Sequence, residues 1–112
     1  MILVPSRFEP CGLTQLIAMR YGTIPVVRSV GGLADTVFDK DNSEKDQNMR
    51  NGYVFEDDNI IGVEGALKRA IACFDTTPKD FRSLIVTAMQ TDHSWSKSGH
   101  CYIDIYKHIK SE

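Results

Sequence analysis

"ILVPSRFEPCGLTQLIAMRYGTIPVV", residues 2–27, decides the fold. Residues 2–4 form a short apolar run that Pro5 closes, which reads as a buried strand of a parallel sheet. Glu9 precedes Pro10, and the residue before a proline is steered away from helical angles, so this segment stays extended. Gly12 allows a sharp turn, or close approach of a ligand to the main chain. From Leu13 to Tyr21 good helix formers dominate, and Leu13, Leu16, Ile17 and Tyr21 recur at helical spacing. Gly22 is a natural helix stop, and "IPVV" at 24–27 is a second apolar run. Strand, turn, helix and strand in this order predict an α/β fold with a parallel sheet.

Outward from this unit, "SVGGLADTV" at 29–37 predicts a loop at Gly31–Gly32, just past a strand's carboxyl end, where open α/β sheets bind ligands. Residues 39–52, "DKDNSEKDQNMRNG", carry four acids, three bases and only Met49 as a strong apolar residue, so a solvated surface loop is predicted. "GYVF" at 52–55 reads as a third strand. A helix is predicted from about Ile60 to Phe74, capped by Asp58 or Asn59, with Val63, Leu67, Ala70, Ile71 and Phe74 as its buried stripe. The next opens with Thr77 as cap and Pro78 in the first turn, and its stripe is Phe81, Leu84, Ile85, Ala88 and Met89. A last helix follows "DHSW" with Ser94 as cap, and Tyr102, Ile105, Tyr106 and Ile109 lie on one face.

Composition narrows the function classes. The chain has 112 residues, enough for one domain or part of one, and 42% of them are apolar. Thirteen basic against 15 acidic residues give a net charge of −2, which provides no electrostatic footprint for nucleic acid. No apolar stretch is long enough to span a membrane, and the first residues lack the charged and apolar regions of a signal peptide. Cys11, Cys73 and Cys101 are odd in number and lack a C-x-x-C spacing, which argues for reduced thiols over a disulfide framework or a metal site.

"RFEPCGLTQL" at 7–16 holds the chemistry. A helix start leaves N–H groups without partners and carries roughly half a positive charge. With Gly12 before it, such a start is a ready site for a phosphate or diphosphate. Glu9 would repel phosphate, so its carboxylate suits a neutral, hydroxyl-rich group next door. Both features together fit a nucleotide-sugar. The bland alternatives are an ordinary strand-to-helix turn and a solvated loop acid. Neither a Walker loop nor a G-x-G-x-x-G fingerprint is present.

The letters themselves add to this. "PSRFEPCGLTQLIAMRYGTIPVVRSVGGLADTVFD" at 5–39, with "NGYVF" at 51–55 and "HSW" at 93–95, resembles the C-terminal signature of bacterial glycogen synthases and plant soluble starch synthases. The resemblance implies a GT-B fold, two Rossmann-like domains with the active site between them. It also implies transfer of glucose from ADP-glucose to the non-reducing end of an α-1,4-glucan, with retention, no cofactor and no metal. Glu9 resembles the family's glutamate that holds hydroxyls of the donor glucose, a positional rather than nucleophilic role. Cys11 and Gly12 resemble the turn against that sugar, Leu13 and Thr14 the helix start that receives the distal phosphate, and Gly31, Gly32 and Leu33 a second loop on the donor side.

Two positions depart from related patterns. Ile17 stands where many retaining GT-B enzymes carry a second glutamate, and these glucan synthases usually lack it too. Val30 stands where the glycine loop often has threonine, which removes a hydroxyl. Complete members of the family are several times longer. Residues 1–112 are therefore read as part of a C-terminal donor-binding domain whose N-terminal partner lies in the remainder of the polypeptide, and the segment alone is expected not to catalyse. The implied setting is the plastid stroma for a plant or algal source and the cytoplasm for a bacterial one. The alternatives are a GT-B transferase using another donor such as UDP-glucose, and a non-catalytic remnant that binds glucan or a partner.

Overall fold

A computed structural model describes residues 1–111. Strands β1 (Ile2–Val4), β2 (Pro25–Arg28) and β3 (Tyr53–Phe55) pair in the order β1-β2-β3, all parallel, with Leu3 opposite Val26 and Val26 opposite Tyr53. The expected α/β architecture is therefore present, and each predicted strand forms. Helix α1 (Thr14–Arg20) joins β1 to β2, and α2 (Gly31–Thr36) follows β2. After β3 come α3 (Ile60–Thr76), α4 (Pro78–Gln90) and α5 (Trp95–Ser111).

Alternation along the strands sorts the core into two layers. Val26, Tyr53 and Phe55 face one side and pack with Met19 of α1, Ala66, Ala70 and Cys73 of α3, and Phe81, Leu84 and Ala88 of α4. Val27 faces the other side with Leu33 and Val37, flanked by Val4, Val30 and Val54. Parallel sheets need both faces covered, and here Leu33 of α2 and Val37 just after it pack on the second one.

Several expectations are corrected. Gly31–Gly32 open a helix rather than a loop; the connection from β2 is only Ser29 and Val30. Of the four α1 positions at helical spacing, Leu16 packs against the core, but Leu13 is 68% and Tyr21 83% exposed, and Ile17 is exposed too, while Gln15, Ala18 and Met19 are buried. In α3 the buried line is Ala66, Ala70 and Cys73, so Ile71 and Phe74 lie at its margin, where Phe74 meets Phe81 edge-on at 5.3 Å between centroids. Helix α5 buries no residue at all, and Tyr102, Ile105, Tyr106 and Ile109 are all exposed. Asn59 is the α3 cap of the two candidates, accepting from Gly62 N–H at 2.9 Å. Ser94 Oγ accepts from Lys97 N–H at the start of α5.

The 39–52 segment is solvated only in its middle. Asp39 and Asn51 are buried, and Asp39 bridges to Gly52 in parallel fashion, extending the sheet. Asp39 accepts from the N–H groups of Val54 (2.6 Å), Asp41 (2.9 Å) and Asn42 (3.0 Å). Arg69 of α3 donates to both its oxygens, at 2.8 and 2.9 Å, and also to Asp41 and the Val54 carbonyl. A long-range partner thus internalises an acid that the local sequence presents as a loop residue.

Candidate functional site

In a parallel sheet the loops after each strand gather at one edge. Here Pro5–Leu13, Ser29–Val30 and Glu56–Asn59 meet at the carboxyl edge. Arg28, at the end of β2, ties them together by donating to the carbonyls of Arg7 (3.2 Å) and Glu56 (3.3 Å). Arg7 pairs with Asp58 across the same edge at 3.2 Å.

Within the first loop Ser6 Oγ donates to Glu9 Oε2 at 2.9 Å. One carboxylate oxygen is therefore held, and Oε1 has no hydrogen-bond partner among the described residues. Gly12 adopts φ +72°, the left-handed region, and a Cβ there would crowd Glu9 Cγ at 3.1 Å and the Gln15 amide at 2.8 Å. The turn thus needs glycine for both conformation and space. Leu13 and Thr14 begin α1 without a side-chain cap, so the first-turn N–H groups are left uncapped beside Gly12.

The second predicted cluster lies against the first. Gly31 has φ +49°, and a Cβ on it would overlap the Glu9 carbonyl. A Cβ on Gly32 would overlap the Cys11 carbonyl, and Gly32 N–H donates to the Glu9 carbonyl at 3.0 Å. Both glycines are where they are because main chain rests on main chain. Leu33 is fully buried with Val27 and Val37, so its side chain faces the core and not the site. Val30, at the N-cap of α2, makes no side-chain capping bond. Cys11 is an exposed free thiol.

Sequence reasoning missed Gln15, Thr36, Ser6 and Arg28. Gln15 lies on the inward side of α1 with Ala18 and Met19. Its side chain is fully buried, and Nε2 donates to the Gly12 carbonyl (3.0 Å), Thr36 Oγ1 (3.1 Å) and the Cys11 carbonyl (3.4 Å).

No family model matches the chain. The curated relatives do. Glycogen synthase 2 of Methylococcus capsulatus is 60% identical over 111 residues, covering 99% of this chain and 23% of the relative. Glycogen synthase 1 of Nitrosococcus oceani is 54% identical over 110 residues, covering 98% of this chain and 23% of the relative. Among solved structures, the catalytic domain of Starch Synthase IV from Arabidopsis thaliana, bound to ADP and acarbose, superposes with a TM-score of 0.84 at 40% identity, over 98% of this chain and 22% of that one. By fold, then, the chain is an α/β unit matching the GT-B catalytic domain of a starch synthase. More particularly, it is a homologue of the glycogen and starch synthases along almost its whole length, and it spans 22–23% of these relatives.

Proposed function

We propose that this chain forms the donor-facing wall of a retaining glucosyltransferase that moves glucose from ADP-glucose to the non-reducing end of an α-1,4-glucan. The observation that carries the reading is the pairing of a half-free Glu9 carboxylate with the uncapped start of α1 across Gly12. A carboxylate oriented by Ser6 accepts hydroxyls of the donor glucose, and the N–H groups at Leu13–Thr14 face the phosphate nearest the sugar. Cys11 and Gly12 contribute main chain against the sugar, Gly31 and Gly32 contribute the backbone that holds this loop, and Leu33 anchors α2 in the core behind it. As ADP leaves, charge develops on that phosphate, and dipoles already in place stabilise it without reorganising. The remainder of the polypeptide supplies the opposite wall, because positioning two substrates requires both sides of a cleft. The bacterial sources of the relatives favour a cytoplasmic setting over the plastid.

The test is a chimera in which residues 1–112 replace the matching segment of the Methylococcus capsulatus glycogen synthase 2. Glu9→Gln keeps shape and loses the charged acceptor, worth about 1.5–3 kcal/mol or roughly 10- to 150-fold. The expected result is that loss in transfer from ADP-glucose, with an unchanged melting temperature. A Glu9→Gln chimera as fast as its parent overturns the assignment. A parent chimera that prefers UDP-glucose overturns the donor.

A further inference from the structure

We infer that Gln15 is the positioning residue of the donor loop, and that Thr36 is the link through which it couples this loop to α2; the proposal rests on the donor-site reading above.

The hydrogen-bond directions are fixed by chemistry. Thr36 Oγ1 has one hydrogen, and it goes to the Gly32 carbonyl at 2.6 Å. Toward Gln15 that hydroxyl is therefore an acceptor, as are the carbonyls of Gly12 and Cys11. Only the amide nitrogen can face this group; the amide oxygen would meet acceptors alone. The bonds close a ring: Glu9 carbonyl to Gly32 N–H, Gly32 carbonyl to Thr36, Thr36 to Gln15, and Gln15 to the main chain at Cys11–Gly12. Thr36 is itself held from the far side, since buried Asn51 donates Nδ2 to its carbonyl at 3.0 Å.

The arrangement has a cost that packing alone does not explain. Gln15 Oε1 is buried with no hydrogen-bond partner among the described residues. Methionine or leucine would fill the same space without an orphaned acceptor, which costs about 1–3 kcal/mol. What the glutamine adds is a donor for two main-chain carbonyls in the turn between Glu9 and Thr14. It holds the sugar carboxylate and the helix start at one fixed separation.

The test contrasts Thr36→Ser with Thr36→Val, in the 112-residue chain and in the chimera. Serine keeps the hydroxyl and loses a methyl; valine keeps the shape and loses the hydroxyl. Coupling ranks serine above valine, and packing ranks valine above serine. In the chain, amide exchange by NMR is expected to accelerate about tenfold at Gly32 N–H in Thr36→Val, about 1.4 kcal/mol, and to stay near wild type in Thr36→Ser. Gln15→Met should act like Thr36→Val; if it fails to fold, the threonine pair still decides. In the chimera, Thr36→Val is expected to raise KM for ADP-glucose about tenfold while KM for glucan holds, a split that a smaller folded fraction cannot produce. Slower exchange in valine than in serine, or an unchanged KM in both, overturns the proposal. Coupling in the exchange data without ADP-glucose turnover by the parent chimera would sink the donor reading and leave the coupling standing.

Discussion

Gly32→Ala is the most informative single change. The Cβ it adds would overlap the Cys11 carbonyl and lie 2.7 Å from Cys11 Cα. Carbon atoms pack at about 3.5–4.0 Å and the Cys11 carbonyl lies nearer than its Cα, so the loop must retreat by more than about 1 Å. The neighbour is main chain, not the end of a flexible side chain, so no rotamer change relieves it. Retreat also stretches the 3.0 Å bond from Gly32 N–H to the Glu9 carbonyl. Overpacking costs about 1–3 kcal/mol and the lost bond about 1 kcal/mol, within what a folded domain survives. Catalysis is far less tolerant, because a displacement of about 1 Å at a positioning element can cost about 100-fold. The expected outcome is a chimera that melts a few degrees lower and transfers glucose about 100-fold more slowly. The assay is initial-rate transfer from radiolabelled ADP-glucose to maltooligosaccharide, alongside thermal unfolding by circular dichroism. A Gly32→Ala enzyme with the parent's rate would refute the claim that this main-chain contact sets the loop.

Further outcomes follow from other parts of the fold. Arg69→Met removes the partner of buried Asp39; since Arg69 is 30% exposed, the loss should fall at the low end for a buried pair, about 3 kcal/mol by urea melts. Burial raises the Asp39 carboxyl, but Arg69 and three N–H groups outweigh it and hold it below the usual range. Its stabilising contribution is therefore complete above the unfolded value of about 3.9 and is lost as pH falls through the lower folded value; Arg69→Met should flatten that acid limb, and an unchanged pH profile would refute this. Val30→Thr gives α2 the side-chain cap it lacks and should raise stability by about 0.5–1 kcal/mol; a loss would show that the valine's packing outweighs the cap. Ile105→Lys with Ile109→Lys breaks the exposed apolar face of α5 and should shift the 112-residue chain toward monomer in sedimentation velocity; a wild-type chain that is already monomeric argues against association through this face.

The strands and most helices were legible because each rests on local signals: an apolar run closed by Pro5, the Gly22 stop, Asn59 and Pro78 at helix starts. What failed was the phase of burial. Leu13, Leu16, Ile17 and Tyr21 recur at helical spacing, yet of these Leu16 packs against the core; the carbonyls of the turn at Cys11–Gly12 need a donor, and Gln15 satisfies them by going in. Leu13, Ile17 and Tyr21 lie on the outward side, while Ala18 and Met19 stay buried. Asp39 fails for a similar reason, since its partner Arg69 lies 30 residues away and nothing local announces it. The candidate site residues are named through the letters of the motif, from the resemblance at 5–39. The mutual contact of the two glycine-bearing segments was not visible there, because sequence shows that a glycine is present and not which atom needs the room.

The meeting of the 9–12 loop with α2 has a consequence for how this surface can diverge. It is made of carbonyls, amide hydrogens, missing β-carbons and the inward side chains of Gln15 and Thr36, so the outward side chains at Phe8, Pro10 and Asp35 take no part in the hydrogen bonds that hold it. Those positions can therefore change without touching the hydrogen bonds of the frame beneath. Divergence of the outward side chains over a fixed Gly12, Gln15, Gly31 and Gly32 is the form of plasticity such a joint permits.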